Sequence, residues 1–462
     1  MNATIILSPI SHGSPGCPIK TRGIMHDKLK IVQINTADKG GGAEGSAWNL
    51  FTRFRSLGHD SKLIVGRKYS KDADVIEIPR KAHWTGLPWQ WLADSARSRE
   101  GVLPGMRRLA RCFDRIANPS RIADWWNGRD EWTFPGCDQL PQIIGEKTDI
   151  IHCHNLHGWY FDLRILPELA KIAPIVLNLR DTWALTGHCA YFIDCDRWKS
   201  GCGNCLRLNV YPAVRKDSTN RNWQRKAEIL KASKLHVTAP SKWLLDRAKE
   251  SMLDAVEYKL IPNGIDTTVF TPGDSIAARQ ELGLPSDAKI VMFAAAAKSS
   301  YFKDPETLWA GVKRLAAIDP NLFFLCVGME LTSETDGIRA MGIPYVSDAQ
   351  KMAQLYRSAN VFLHTAKAEA FGKTVTEAMA CGTPVVASAT GGLVEQIIDG
   401  KTGFLFPSGD SETLAQSALR ILNLPSEAYS AMKSAAAAQG ARFSLERQAD
   451  AFIEWYRSIL AR

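Results

Sequence analysis

Residues 29–65 read LKIVQINTADKGGGAEGSAWNLFTRFRSLGHDSKLIV, and the fold turns on how this stretch is read. Residues 29–35 are a short, β-branched apolar run that ends in a glycine-rich turn, Gly40-Gly41-Gly42. Over 43–57 the apolar residues change to helical spacing, with Ala47, Leu50, Phe51 and Phe54 on one face. Residues 61–65 return to a strand. Strand, turn, helix and strand in this order build one unit of a parallel sheet.

The same alternation continues outward. Apolar runs at 149–153, 174–179 and 235–239 predict strands, with helices over 163–172 and 221–232 between them. Near residue 258 the pattern restarts, with strands predicted at 289–295, 322–327, 361–364 and 383–387 and a helix over 305–318. Each run has the short, apolar form of a strand covered on both faces. The expectation is an α/β chain with two Rossmann-like domains in series, 28–257 and 258–440. The punctuation IPNGID at 261–266 lies near their boundary. A terminal helix over 441–462 carries Phe452, Trp455, Tyr456 and Ile459 as apolar anchors. Residues 1–27, rich in Ser, Pro and Gly, read as a disordered arm, and Met25 is an alternative start.

Composition narrows the classes. A length of 462 residues suits two or three domains, and 45% hydrophobic with 23% charged residues suits a globular chain. There is no apolar run long enough for a membrane span and no signal-peptide pattern at the start, so a cytoplasmic protein is expected. The net charge of +9 suits an anionic partner such as a nucleotide phosphate or a membrane surface. No nucleic-acid motif accompanies it. Residues 80–132 hold six of the fourteen Trp among ten basic and six acidic residues. Aromatic and basic residues together fit a membrane-interface element, or an insertion that packs its Trp inside.

Candidate chemistry lies at strand ends. Gly41 and Gly42, opening a helix, could bring backbone N–H groups to a phosphate. In the second half, Glu369-Ala-Phe-Gly-Lys-Thr-Val-Thr-Glu377 follows a predicted strand and opens a helix. It therefore sits at the sheet edge where open α/β sheets bind ligands. Two carboxylates beside a helix N-terminus can hold hydroxyls of a sugar and a ribose, and Gly372 lets a ligand approach closely. Lys298 and Lys303 emerge at the same edge and could clamp a diphosphate. On the strand at 149–153 and just beyond it, His152 and His154 alternate to one side, His154 being the better ligand contact. Cys189, Cys195, Cys202 and Cys205 form a compact cluster open to structural zinc, to disulfide or redox pairing, or to free thiols.

Together these residues resemble glycosyltransferase family 4, the retaining nucleotide-sugar transferases of the GT-B fold, with two facing Rossmann-like domains and a terminal helix crossing back to the first. The resemblance rests on EAFGKTVTEAMACGTPVVAS, on IPNGID at 261–266, on GGLVEQIIDGKTGFLF at 391–406 and on GGAE at 41–44. The segment at 181–205 is similar to that of colanic-acid and other exopolysaccharide glycosyltransferases.

The resemblance implies a nucleotide-diphosphate sugar donor. Glu369 would contact the sugar hydroxyls and Glu377 the ribose. Lys303 would bind phosphate, with Lys298 where an arginine is usual. Backbone groups of Gly41, Gly42, Phe371 and Gly372 would line the diphosphate, and His154 would approach the transferred sugar. Arg180-Asp181 stands where the subgroup has His-Asp. The implied partners are a lipid-linked saccharide acceptor and the inner-membrane surface, with no nucleic acid and no catalytic metal. The competing readings are a sugar-nucleotide epimerase or phosphorylase of the same fold, and a basic nucleic-acid-binding or zinc scaffold.

Overall fold

A computed structural model describes residues 28–80, 86–99, 103–294, 301–329 and 338–462. The expected arm at 1–27, Trp84 and Lys298 lie outside the described residues. The first sheet contains β1 (Lys30–Ala37), β2 (Asp60–Arg67), β3 (Val75–Glu77), β4 (Ile150–Cys153), β5 (Ile175–Asn178), β6 (His236–Ala239) and β7 (Glu257–Leu260). The second contains β8 (Ile290–Ala294), β9 (Phe323–Val327), β10 (Ala340–Ile343), β11 (Val361–His364), β12 (Val385–Ser388) and β13 (Gly403–Phe406). Their spatial orders are β3-β2-β1-β4-β5-β6-β7 and β10-β9-β8-β11-β12-β13, and every pairing between neighbours is parallel. Two α/β domains of Rossmann type result, as the alternation of strands and helices predicts.

The interior strands β4, β5, β6, β11 and β12 are buried along their whole length. That burial on both faces is why they read as continuous apolar runs. Four strands were not anticipated: β3, β7, β10 and β13. Each is only three or four residues long and sits at a sheet edge, and in β3, β7 and β10 partly exposed positions weaken the apolar signal. Because β7 pairs with β6, the first sheet runs to Leu260, just past the expected boundary at 257. The helix expected over 163–172 is a 3₁₀ turn, Leu163–Ile165, and a short helix, Leu166–Leu169. Pro167 has no N–H to bond back to the Leu163 carbonyl, so it starts a new helix rather than extending the 3₁₀ turn.

The last helix, Leu445–Leu460, crosses back to the first domain. Ser444 caps its start by accepting the Arg447 N–H at 3.2 Å. Its Phe452, Trp455 and Tyr456 are fully buried against Leu29, Ile31, Leu50, Phe54, Ile150 and Val176. Each such side chain contributes about 2 kcal/mol of apolar burial, enough to hold the helix there. His152 is consumed by this packing: its Nδ1 is 2.5 Å from the Tyr456 hydroxyl and its ring lies 4.8 Å from Phe452.

The 80–132 region forms helices Leu87–Arg97, Met106–Ala117 and Pro119–Trp126. Its described Trp are mostly not buried. Trp132 is 3% exposed, but Trp91 is 69% and Trp126 49% exposed. Trp125 and Trp126 lie under the Arg215 guanidinium, at 4.9 and 3.9 Å from the ring centres. Among the described residues, no helix is long and apolar enough to cross a membrane.

Candidate donor and acceptor site

The C-terminal strand edges of both sheets supply the site. Beyond β11, Glu369 is buried, and its Oε2 lies 2.5 Å from Lys303 Nζ and 3.6 Å from His364 Nε2. Burial alone would raise the pKa of this carboxyl. The Lys303 ammonium and the His364 contact outweigh it and hold the group far below the usual carboxylate range. Glu369 is therefore an anion, already paired with the lysine expected to meet phosphate.

The helix Lys373–Ala380 begins at Gly372, whose φ of 92° is left-handed. A Cβ at Gly372 would also lie 2.5 Å from Leu393 Cδ2, so turn and packing both require glycine. The Glu369 carbonyl accepts the Gly392 N–H at 2.9 Å, and a Cβ on Gly391 would overlap that same carbonyl at 1.9 Å. The GG of GGLVEQ thus clasps the backbone of Glu369. Phe371 is buried against Phe443, and its carbonyl accepts from Gln396 Nε2. One turn into the helix, Glu377 Oε1 is 3.5 Å from Lys373 Nζ, and Oε2 accepts from the Tyr356 hydroxyl at 3.4 Å. Burial raises the Glu377 pKa, with Lys373 and Tyr356 opposing. Glu369 and Glu377 therefore have opposite electrostatic settings on one helix start.

The first domain faces this helix with its glycine-rich loop. A Cβ on Gly45 would come within 4.0 Å of Lys373 Nζ, and the Tyr345 hydroxyl donates to the Gly40 carbonyl at 2.9 Å. Gly41 and Gly42 open the helix Gly42–Ser56 on this side, and a Cβ on Gly42 would meet nothing within 4 Å.

His154 is buried, with both ring nitrogens occupied. Arg180 Nη2 donates to Nδ1 at 3.0 Å, so the proton sits on Nε2, which donates to Gln33 Oε1 at 2.8 Å. Burial, His152 and Arg180 all push its pKa well below 6.5, so the ring is neutral. The other side of Arg180 donates to Asn263 Oδ1, at the junction between the domains. Burial pulls the Arg180 pKa down to about 10, against the opposing Glu44. His154 is thus a fixed wall of the cleft, and Arg180 is the residue that fixes it.

Sequence reasoning passed over His157. Its Nε2 lies 2.8 Å from Asp181 Oδ2, and its Nδ1 is buried with no partner among the described residues. The signal was present in HCHNLH, but Asp181 is twenty-four residues away and only the fold joins them. The Cys cluster is also less ordered than expected. Cys205 Sγ is 3.5 Å from His188 Nε2, and Cys202 Sγ accepts the Gly187 N–H at 3.2 Å, while Cys195 is exposed. Among the described residues, no group of three or more His, Cys, Asp or Glu is placed to hold a metal ion. The zinc expectation for Cys189, Cys195, Cys202 and Cys205 therefore finds no support in this geometry. What the loop does is pack. Tyr191 lies edge-on to Phe302 at 5.1 Å, and Val210 joins Phe302 and Ala368, so the loop props the turn that carries Lys303.

Two family models cover most of the chain: Glycosyltransferase Family 4 matches residues 40–269, and Glycosyl transferases group 1 matches residues 274–439. The chain belongs to glycosyltransferase family 4. A D-inositol 3-phosphate glycosyltransferase of Mycobacterium avium is 35% identical over 217 residues, 45% of this chain and 50% of that protein. One from Saccharomonospora viridis is 32% identical over 234 residues, 47% of this chain and 53% of that protein. The chain thus spans about half the length of the curated relatives it matches. Solved structures share the fold along nearly the whole chain. The sucrose-phosphate synthase of Thermosynechococcus elongatus aligns with a TM-score of 0.62 and 19% identity, covering 94% of this chain and 100% of that one. An Anabaena protein solved with UDP and glucose aligns with a TM-score of 0.60 and 18% identity, covering 93% and 100%. These matches show a GT-B architecture.

Proposed function

We propose that this family 4 member is a retaining glycosyltransferase. It moves a sugar from a nucleoside diphosphate sugar to a lipid-linked saccharide acceptor during surface or exopolysaccharide assembly, while peripherally bound at the cytoplasmic membrane face. The Lys303–Glu369 ion pair beside the start of helix Lys373–Ala380 carries the donor half of this reading. A cation, free helix N–H groups and a buried carboxylate together match a diphosphate joined to a polyhydroxylated sugar. That the Anabaena neighbour was solved with UDP and glucose supports a donor of this class.

In the proposed step, the sugar C1–O bond to the diphosphate breaks and its electron pair stays on the phosphate oxygen. The acceptor hydroxyl oxygen bonds to C1 from the same face, and its proton passes to that phosphate oxygen. Lys303 and the N–H groups at Gly372 and Lys373 offset the charge that develops there, with Lys298 as a second cation. Glu369 orients the sugar hydroxyls and Glu377 the ribose. No side chain acts as nucleophile and no metal is required. His154, with both nitrogens engaged, shapes the wall beside the sugar.

The acceptor half rests on the insertion, where exposed Leu87, Trp91 and Trp126 are interspersed with arginines, as in a membrane-interface surface. The relatives' names favour a second acceptor, a soluble phosphorylated cyclitol, with the same donor half. Thermal shift against UDP-, GDP- and ADP-sugars is the first test. One nucleotide class should raise the melting temperature of the wild type but not of Glu377→Ala. Lys303→Ala should lower transfer by roughly a hundredfold or more. Near-normal transfer by Lys303→Ala and Glu369→Ala together would overturn the reading.

A further inference from the structure

Two adjacent residues beyond β5 set the two histidines beyond β4. Arg180 donates to His154, whose ring then has both nitrogens engaged. Asp181 does the reverse for His157. Its Oδ2 lies 2.8 Å from His157 Nε2, and its Oδ1 accepts the Trp183 N–H at 2.9 Å. A carboxylate only accepts, so it holds the imidazole proton on Nε2 and leaves Nδ1 as a bare acceptor. The His157 side chain is 9% exposed, and Nδ1 is buried with no partner among the described residues. A buried acceptor without a donor costs free energy, and a ligand that donates there offsets the cost.

The surroundings of this ring are fixed. His157 lines a cavity of about 40 Å³ with Trp159, Trp183 and Tyr211, room for a hydroxyl group rather than a whole sugar. The Trp183 and Tyr211 ring centres lie 5.2 and 6.0 Å from the imidazole. Lys226 is fully buried and anchors Trp183: its Nζ donates to the Trp183 carbonyl at 3.0 Å and lies 3.9 Å from the indole centre. The Thr36 hydroxyl donates to the His157 carbonyl at 3.5 Å, which ties His157 to the strand leading into the glycine-rich loop. Aromatic walls around one placed polar atom are the usual makeup of a recognition site.

Tyr191 joins this corner to the donor site. Its hydroxyl donates to the Arg180 carbonyl at 3.4 Å, and its ring is 5.1 Å from that of Phe302, beside Lys303. Burial raises the Tyr191 pKa well above 10, and the carboxylates of Glu369 and Asp181 both add to the rise, so the phenol is near each of them. Ala370, next to Glu369, packs into the same apolar cluster as Trp183. The His157–Asp181 pair therefore borders the donor carboxylate across the domain junction.

We propose that His157 Nδ1 accepts a hydrogen bond from an acceptor hydroxyl next to the one that attacks, and so decides which hydroxyl is glycosylated. The attacking hydroxyl gives its proton to the departing phosphate oxygen in the step above, so the group held by Nδ1 is its neighbour. The acceptor is then a ring with adjacent hydroxyls, and an analogue without the held hydroxyl is discriminated against. The inference rests on the glycosyltransferase reading and adds to it the residue that recognises the acceptor.

The test uses the full chain saturated with the nucleotide that gives the thermal shift. Methyl glycosides of glucose, galactose and mannose are the probes, titrated by calorimetry. At least one should bind the wild type saturably, and among its deoxy analogues one should bind at least tenfold more weakly. His157→Gln should weaken the parent glycoside by the same factor, because its amide N–H can still reach Asp181 but no acceptor stands where Nδ1 was. In that variant the parent and the sensitive deoxy analogue should bind equally. His157→Asn, whose side-chain oxygen falls near the Nδ1 position, should restore part of the difference. A purely structural histidine would not single out one hydroxyl. Both variants should keep the nucleotide shift, which excludes misfolding. No binding of any probe to the wild type, or the same deoxy penalty in wild type and His157→Gln, would overturn the proposal. Absence of any nucleotide shift, with probe binding still dependent on His157, would instead sink the donor reading alone.

Discussion

Glu395 of the second domain caps a helix of the first. Its Oε1 accepts the Trp243 N–H at 2.7 Å and its Oε2 the Lys242 N–H at 2.8 Å, at the start of the helix Lys242–Lys249. A carboxylate at that position meets orphan backbone donors and the positive end of the helix dipole. The two partners belong to different domains, so the contact ties the domains together, as the Tyr345–Gly40 bond also does.

Glu395→Ala is therefore expected to weaken closure more than folding. The lost cap is worth about 1 kcal/mol. Donor KM should rise several-fold with a small change in melting temperature, and small-angle scattering should show a more open average shape. High salt should reproduce part of the effect in the wild type, since Glu395 is exposed.

The Lys303–Glu369 pair predicts a specific pH response. The folded-state pKa of Glu369 is depressed from the ordinary 4.5. Its contribution to stability is therefore complete above about pH 4.5 and is lost progressively as pH falls toward the lower folded value. Wild type and Glu369→Gln should differ most at neutral pH and converge in acid, as read by urea melts across pH 2–7. A gap that widens on acidification would contradict the pairing.

Glu377 should behave in the opposite way. Its folded pKa is raised by burial, so the folded chain holds that proton more tightly than the unfolded one. Stability from this group falls as pH rises from 4.5 toward the raised value and stays low above it. Glu377→Gln should match or exceed the wild-type melting temperature at pH 7 while losing the nucleotide-induced shift. A residue that weakens the fold yet is needed for ligand is what a binding role requires.

Gly391→Ala should be among the most damaging single changes in the second domain. It places a Cβ at φ 55° and 1.9 Å from the Glu369 carbonyl. Strain and displacement together should cost roughly 2–4 kcal/mol. Donor affinity should fall with it, because the backbone that aims Glu369 must move. Gly409→Ala is the comparison: its φ of 88° is also left-handed, but a Cβ there meets nothing within 4 Å. It should cost less and leave donor binding intact.

Arg180→Met tests how His154 is set. Removing the guanidinium frees Nδ1 and removes one of the influences that depress the ring's pKa, while burial and His152 remain. The imidazole pKa should rise but stay below 6.5, as followed by NMR titration. A pKa unchanged from wild type would mean that Arg180 does not control the ring.

The strand–helix alternation from residue 29 onward, the two-domain division and the Glu369–Glu377 motif were all legible in the chain, because each is local. Apolar spacing reports whether a segment is covered on one face or two, and a glycine before a helix reports the turn it must make. Short edge strands such as β3 and β10 were not legible, since three or four half-exposed residues carry little apolar signal. The partners of the named residues were no more accessible. Lys303 meets Glu369 across sixty-six residues, Arg180 meets Asn263 across eighty-three, and Glu395 meets Trp243 across one hundred and fifty-two. Local spacing thus named the carboxylates, the lysine and the histidine, and set them at strand ends. Whether each is charged, neutral, free or engaged depends on burial and on partners that converge only when the two sheets and the crossing helix pack. That packing made His154 a neutral wall, and it brought arginines from five separate segments around one cavity.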